Sequence, residues 1–140
     1  MPISPVKTMI TPQPGSSPPR ALRILYADDL PGLRNLMRHT LSRDGHTVEC
    51  VPDGHSAMEK LSAALTAFDL VITDHHMPDW SGLDLVTWLR HVPFAGRILV
   101  FTSDTSPDLN EAYQSLHVDR ILHKPAPLAV LRQVVAELAL

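Results

Sequence analysis

Residues 69–78 read Asp-Leu-Val-Ile-Thr-Asp-His-His-Met-Pro, so that a short apolar run ends abruptly in polar residues. An uninterrupted apolar run of this kind is typical of a parallel strand that helices cover on both faces. Similar runs lie at residues 24–25 and 98–101. From Leu22 onward, such runs alternate with amphipathic stretches at intervals of roughly two dozen residues. The alternation predicts a series of β-α units.

The same pattern locates the individual elements. We expect five strands, at Arg23–Ala27, Thr47–Val51, Leu70–Thr73, Ile98–Thr102 and Arg120–His123. Apolar residues at helical spacing predict five helices, whose core-facing positions are Leu33, Leu36, Met37 and Leu41; Met58, Leu61 and Leu65; Leu85, Val86 and Leu89; Leu109, Ala112, Tyr113 and Leu116; and Leu128, Leu131, Val134, Val135 and Leu138. Right-handed crossovers would place these helices on both faces of one parallel sheet. The predicted fold class is therefore α/β, a doubly wound five-stranded parallel sheet flanked by five helices.

The composition limits the classes of function. The chain has 140 residues, 44% hydrophobic and 19% charged, which suits one globular domain. A formal net charge of −3 and the lack of a Lys/Arg run argue against direct DNA binding. A single cysteine, Cys50, excludes an intramolecular disulfide framework and indicates a reducing compartment. No apolar stretch approaches the roughly 20 residues that a membrane span needs, so we expect a cytoplasmic protein without membrane association.

The first 20 residues differ in composition from the rest of the chain. They hold six of the 13 prolines and few residues that a core could bury. Such a segment cannot offset its ordering entropy, so residues 1–20 are predicted to form a Pro-rich disordered tail. The tail contains Lys7 and Arg20 and no acidic residue. The folded domain, residues 21–140, therefore carries 15 acidic against 10 basic residues.

Polar residues end four of the predicted strands. Asp28 and Asp29 follow the first strand, Asp74 follows the third, Thr102 ends the fourth and Lys124 follows the fifth. The carboxyl ends of parallel strands share one edge, where three neighbouring carboxylates need a cation to stay ionised, and Mg²⁺ suits oxygen ligands. The lysine and the threonine would then face a phosphoryl anion. Taken singly, these residues also fit turn formers and a solvated surface lysine, whereas their combination favours a site.

The residues at this edge resemble the receiver domain of two-component response regulators. The matching segments, in order, are Ile24–Asp29, Asp69–Pro78, Ser81–Leu85, Ile98–Ser103 and Leu122–Pro125, and the likeness extends over about residues 21–140. The resemblance implies a CheY-like, flavodoxin-like fold. It also implies a signalling module that assists its own phosphorylation and dephosphorylation and has no separate enzymatic activity.

By this resemblance, Asp74 is the phosphoacceptor, and the donor is a histidine kinase or a phosphotransfer protein. Asp74, Asp29 and the backbone carbonyl of His76 would bind Mg²⁺ directly, and Asp28 would act largely through water. The resulting acyl phosphate would hydrolyse at the same site, so that the domain resets itself.

The same resemblance makes Thr102 the switch hydroxyl and Lys124 the partner of the acceptor carboxylate or of its phosphoryl group. Receiver domains often couple this threonine to an aromatic residue of the fifth strand, where this chain has Ile121, which cannot act as a rotating aromatic switch. Because the chain stops at Leu140, directly after the fifth predicted helix, we expect no output domain in it. A downstream protein would bind the face of the fourth helix, fifth strand and fifth helix, and a weak homodimer is a further option.

Alternative functions stay open at this level. One is the terminal receiver of a hybrid histidine kinase, with the Pro-rich stretch as its linker, and another is a phosphate sink. A weaker one is an aspartyl-nucleophile phosphohydrolase, which usually carries its second Asp two residues after the nucleophile, whereas Asp28 and Asp29 are adjacent. A flavin carrier would need a Ser/Thr/Gly-rich loop after the first strand, and the acidic pair there argues against it.

Two imidazoles, His75 and His76, directly follow the predicted acceptor. Such a pair offers affinity for transition metals or a pH-dependent dephosphorylation. We favour the simpler interpretation that both are exposed loop side chains and that position 76 acts only through its carbonyl. Tyr113, in the fourth predicted helix, is assigned a packing role rather than the role of the missing aromatic switch.

Overall fold

The computed structural model describes residues 20–140, in which five strands alternate with five α-helices. The strands β1 to β5 are Arg23–Ala27, Thr47–Val51, Leu70–Thr73, Arg97–Thr102 and Arg120–His123. The helices α1 to α5 are Pro31–Arg43, Gly54–Ala63, Gly82–Leu89, Pro107–Ser115 and Leu128–Leu138. The longest, α1, has 13 residues, and within the described part of the chain no helix has the length and apolar character to cross a bilayer. The predicted tail lies outside the described residues except for Arg20.

All neighbouring strands of the single sheet are parallel, in the order β2-β1-β3-β4-β5. The register pairs Ala27 of β1 with Thr73 of β3, and Thr73 with Val100 of β4. The strands therefore end near one level, and the winding direction changes between β1 and β3, which is where such sheets form their sites. The predicted doubly wound α/β architecture is confirmed.

Alternation along the strands divides the core into two layers. Tyr26 and Ile72 face α1 and α5, whereas Leu25 and Val71 face α2, α3 and α4. All four side chains are fully buried, so helices cover both faces of the sheet. This double cover explains why the central strands read as continuous apolar runs.

The strand β4 begins at Arg97, one residue before the predicted Ile98, because Arg97 already pairs with Leu70 of β3. Three of the helix assignments are wrong. Leu36 is 43% exposed because it lies one residue step around α1 from the buried Met37. Leu128 is 40% exposed because it occupies the first turn of α5, ahead of the buried stripe of that helix. Leu65 lies beyond α2, in a short 3-10 turn, because Ala64 adopts φ −161° and ends the α-helix.

The amino-terminal edge of the sheet is held by two Arg–Asp pairs. Asp69 accepts hydrogen bonds from the backbone N and Nε of Arg23, at 2.9 and 3.0 Å, and this guanidinium lowers the pKa of Asp69 to about 2. Asp119 accepts from the backbone N of Ile98 at 2.7 Å and from Arg97 Nη1 at 3.1 Å. At this edge the carboxylates of Asp69 and Asp119 therefore each form an ion pair with an arginine.

Candidate functional site

The fold brings the predicted site residues to the carboxyl edge of the sheet. Asp28 follows β1 directly, and its backbone N donates to the carbonyl of Val51 at 3.1 Å. Asp74 follows β3, and its N donates to the carbonyl of Ala27 at 2.9 Å. These bonds extend the ladders by one residue, so the sheet itself positions both carboxylates. Thr102 is the last residue of β4 and is buried.

Lys124 joins the two buried carboxylates. Its Nζ lies 2.8 Å from Oδ2 of Asp28 and 3.1 Å from Oδ2 of Asp74. The lysine side chain is only 15% exposed, and that of Asp28 is fully buried. The backbone N of Lys124 donates to the carbonyl of Thr102 at 2.9 Å, which connects the loop after β5 to the end of β4. A buried carboxylate pair is costly without such an ammonium, so Lys124 is part of this buried cluster and is not a solvated surface lysine.

Tyr26 is a site residue that the sequence reasoning missed. Its hydroxyl donates to Oδ2 of Asp28 at 2.8 Å, and burial raises the pKa of Tyr26 above its usual range, which keeps the hydroxyl protonated. The backbone N of Leu30 donates to Oδ1 of the same carboxylate at 3.0 Å, and Arg34 donates to the Asp28 carbonyl at 2.8 Å. The alternation of an extended chain could have predicted this contact, because Tyr26 of β1 and Asp28 just after it are two residues apart and therefore point to the same side.

The acidic cluster fits a hard divalent cation. Asp28, Asp29 and Asp74 each offer a carboxylate oxygen, and these oxygens lie within 4.8 Å of one another. Lys124 supplies one positive charge against these three negative ones, and Asp28 and Asp74 are both buried. An all-oxygen donor set with surplus negative charge suits Mg²⁺ better than a transition metal.

The loop after β3 is packed tightly around the acceptor candidate. Oδ1 of Asp74 accepts from the backbone N of His75 at 2.6 Å, and Thr73 Oγ1 donates to the Asp74 carbonyl at 2.8 Å. Gly82, at the start of α3, lies against this carbonyl so closely that a Cβ there would overlap it, and would lie 2.7 Å from the hydroxyl of Tyr113. Only glycine therefore fits at this position without moving the loop.

The two histidines after Asp74 are not equivalent. His75 is half-buried, and its Nδ1 lies 2.7 Å from the Tyr113 hydroxyl, so the expectation of two exposed loop side chains is wrong for this residue. Burial, followed by the neighbouring imidazole, lowers the pKa of His75. His76 is exposed, as expected, and its Nε2 lies 2.8 Å from Oδ2 of Asp104.

Thr102 is engaged with the loop after β4. Its Oγ1 accepts from the backbone N of Asp104 at 3.1 Å. Ile121 is half-buried and packs in the layer of α2, α3 and α4, as does the buried Tyr113 of α4. Tyr113 therefore packs as predicted, but it also directs a hydroxyl toward His75, next to the acceptor candidate.

Comparison with known proteins identifies a matching family and a sequence relative. The family model described as "Response regulator receiver domain" matches residues 24–136. The sensory/regulatory protein RpfC of Xanthomonas campestris is 32% identical over 124 residues, which cover 86% of this chain and 17% of that protein. The chain thus spans about a sixth of the length of this relative.

Solved structures agree with the sequence relatives. The chemotaxis response regulator CheY4 of Vibrio cholerae is 28% identical, with a TM-score of 0.77 over 85% of this chain and 99% of that one. The signal receiver domain of a histidine kinase from Syntrophus aciditrophicus is 30% identical, with a TM-score of 0.77 over 85% and 90% of the two chains. Both share the fold described above.

Proposed function

The chain belongs to the response regulator receiver family, and we propose that it accepts a phosphoryl group on Asp74 from a phosphohistidine of a histidine kinase or phosphotransfer protein. The observation that carries the proposal is the placement of Asp74, a buried carboxylate held by Lys124 beside two further acidic residues at the carboxyl edge. An incoming phosphoryl group would reach this carboxylate from the open side of the edge. The protein would act in the cytoplasm.

In the transfer step, a carboxylate oxygen of Asp74 attacks phosphorus. The new O–P bond forms as the P–N bond to the donor imidazole breaks, and the nitrogen keeps the bonding pair. Lys124, already 3.1 Å from Oδ2 of Asp74, offsets the charge on the transferred oxygens. Bound Mg²⁺, held by Asp74, by Asp29 and the His76 carbonyl, and by Asp28 through water, would supply further positive charge there.

Thr102 would convert phosphorylation into movement. Its hydroxyl oxygen accepts from the backbone of Asp104 in this structure, and in the phosphorylated state the hydroxyl would turn to donate to a phosphoryl oxygen. The loop after β4 would follow it and alter the face formed by α4, β5 and α5, where a downstream protein would bind. With Ile121 in β5, this response would run without a rotating aromatic side chain on that strand.

A second candidate is the receiver of a hybrid histidine kinase. It is favoured by the likeness to a receiver domain that is part of a histidine kinase, at 30% identity. In that case the phosphoryl group on Asp74 would pass to a phosphotransfer protein. A histidine phosphotransfer domain that rapidly removes label from Asp74 would support this candidate over a receiver that holds its phosphoryl group for an output partner.

Labelling with acetyl phosphate and Mg²⁺ tests the assignment of the acceptor. We expect one base-labile phosphoryl group per chain by intact mass, and none in Asp74→Asn. Asp79→Asn is the matched control, because Asp79 lies in the same loop, is exposed and has φ 65°, a conformation that asparagine also adopts. Labelling that persists in Asp74→Asn would overturn the proposal.

A further inference from the structure

A second group of potential metal ligands lies beside the acidic cluster. A ring nitrogen of His75, one of His76 and a carboxylate oxygen of Asp104 all lie within 4.8 Å of one another. The three residues come from two loops, those after β3 and β4, and none of them lends a side chain to the acidic cluster. The donor set, two imidazoles and one carboxylate, differs in kind from the all-oxygen set of Asp28, Asp29 and Asp74.

From this arrangement we infer that His75, His76 and Asp104 form a binding site for a divalent metal ion that prefers nitrogen ligands, such as Zn²⁺. Imidazole nitrogen is a poor ligand for Mg²⁺ and a good one for Zn²⁺, Cu²⁺ and Ni²⁺. Two histidines and one carboxylate also form a known three-residue zinc set, with the fourth position left for water or another ligand.

The His76–Asp104 pair needs little change to receive the ion. Nε2 of His76 and Oδ2 of Asp104 are 2.8 Å apart. Two ligands bound tetrahedrally at about 2.0–2.1 Å from zinc are about 3.3 Å apart, so this pair must open by only about half an ångström. The ion would replace the contact between the His76 imidazole and the Asp104 carboxylate, both of which reach solvent.

Outer contacts hold two of the three ligands in place. The Tyr113 hydroxyl lies 2.7 Å from Nδ1 of His75 and fixes the orientation of this ring. The backbone N of Ser106 donates to Oδ1 of Asp104 at 2.9 Å, which leaves Oδ2 directed toward His76. Metal-binding histidines and carboxylates typically carry such second contacts, which preserve ligand orientation in the absence of the ion.

The charges also favour a cation. Asp104 contributes a carboxylate whose Oδ1 accepts from the backbone N of Ser106 and whose Oδ2 faces His76. A bound ion would tie the loop that carries Asp74 to the loop that follows Thr102, and this regulatory consequence rests on the proposed function, whereas metal binding itself does not.

Zinc titration of the full 140-residue chain tests the site. Zinc affinity is measured by competition with a chromophoric chelator. Millimolar Mg²⁺ and the Asp29→Asn background keep zinc binding at the acidic cluster out of the signal. We expect one Zn²⁺ per chain. The zinc affinity should fall by at least about tenfold in His76→Gln and in Asp104→Asn. If His76→Gln does not fold, Asp104→Asn alone tests the site. His55→Gln is the matched control, because His55 is also exposed and faces a carboxylate, that of Glu59 at 3.8 Å, and within residues 20–140 this pair belongs to no three-ligand group.

Three results would overturn the inference. The first is a lack of zinc binding by the wild-type chain. The second is an equal zinc affinity of the Asp29→Asn chain with and without His76→Gln or Asp104→Asn. The third is loss of the zinc site when Asp29→Asn alone is introduced into the wild type. The last result would place the ion in the acidic cluster. None of these outcomes depends on phosphorylation, so they leave the assignment of Asp74 as acceptor to its own labelling experiment.

Discussion

Tyr26 donates its hydroxyl hydrogen to Oδ2 of Asp28 at 2.8 Å, and the same oxygen accepts from Lys124 at 2.8 Å. Tyr26→Phe removes one donor from a fully buried carboxylate, and hydrogen bonds to charged groups contribute about 1.5–3 kcal/mol. We expect the free energy of unfolding in urea, without Mg²⁺, to fall by that amount. Tyr113→Phe, whose hydroxyl faces a histidine, is the comparison and should lose about 0.5–1.5 kcal/mol. An unchanged stability of Tyr26→Phe would contradict the role assigned to this hydroxyl.

Replacing Lys124 should make the fold depend on Mg²⁺. Lys124→Met leaves two buried carboxylates without their ammonium, which we expect to cost about 3–5 kcal/mol of unfolding free energy in metal-free buffer. Bound Mg²⁺ would restore part of this loss, so the melting temperature should rise more on Mg²⁺ addition in the variant than in the wild type. Lys60→Met, which breaks an exposed pair with Glu49, should lose less than about 1 kcal/mol. Equal Mg²⁺ stabilisation of Lys124→Met and wild type would count against this view.

Thr102→Val should separate phosphorylation from its consequence. The valine has nearly the same shape but has no hydroxyl for a phosphoryl oxygen, while Asp74 and Lys124 are untouched. Labelling by acetyl phosphate should stay within about tenfold of the wild-type rate, a change of about 1.4 kcal/mol or less in the barrier. The amide chemical-shift changes that beryllofluoride induces in residues 103–115 should disappear, and Thr102→Ser should recover them. A wild-type response in Thr102→Val would refute the switch role.

Gly82 is predicted to tolerate no side chain. In Gly82→Ala the new Cβ would overlap the carbonyl of Asp74, so the loop must move, and we expect a loss of about 1–3 kcal/mol together with slower labelling of Asp74. Gly32→Ala is the control, because Gly32 lies in α1 and a Cβ added there would meet no neighbouring atom within 4 Å. This variant should be neutral or more stable by up to about 1 kcal/mol. Similar behaviour of the two variants would contradict the packing described for Gly82.

His46 should make the fold weaker in mild acid. It is buried, its Nδ1 accepts from the backbone N of Leu22 at 2.9 Å, and burial lowers its pKa, with the opposing effect of Asp44 being smaller. The unfolded chain therefore takes up a proton below about pH 6.5 that the native state resists, and stability falls as the pH drops from there toward the native pKa. The slope from one such group is at most about 1.4 kcal/mol per pH unit. Urea unfolding of His46→Gln should show a smaller loss between pH 7.5 and 5.5 than the wild type, and an identical loss would exclude His46 as a cause.

The fold could be predicted because each strand carried a signal of its own. The apolar runs at 70–72 and 98–101 are buried on both faces and could not be mistaken for half-exposed strands. Helix faces were harder to predict, since Leu36 and Leu128 are as apolar as their buried neighbours and differ from them only in where the helix meets the sheet. Strand ends were predicted to within a residue, which was enough to bring Asp28 and Asp74 to one edge.

Within the site, the strand-end residues could be predicted and the contacts between loops could not. Position in the chain shows that Lys124 follows a strand, but only the fold shows that it contacts both Asp28 and Asp74. The contact between His75 and Tyr113 joins residues 38 positions apart, on a loop and a helix whose relative placement has no local signature. Adjacent histidines in a polar loop therefore read as solvent-exposed until the helix that covers one of them is placed.

The two edges of the sheet differ in how their charges are balanced. At the amino-terminal edge, Asp69 and Asp119 each pair with an arginine. At the opposite edge Lys124 pairs with Asp28 and Asp74, and Asp29 lies in the same acidic cluster. The carboxyl edge therefore holds a local excess of negative charge around Asp74. A partner that docks with a cationic surface would be turned toward that edge before contact, and its association would slow as added salt shortens the reach of the field.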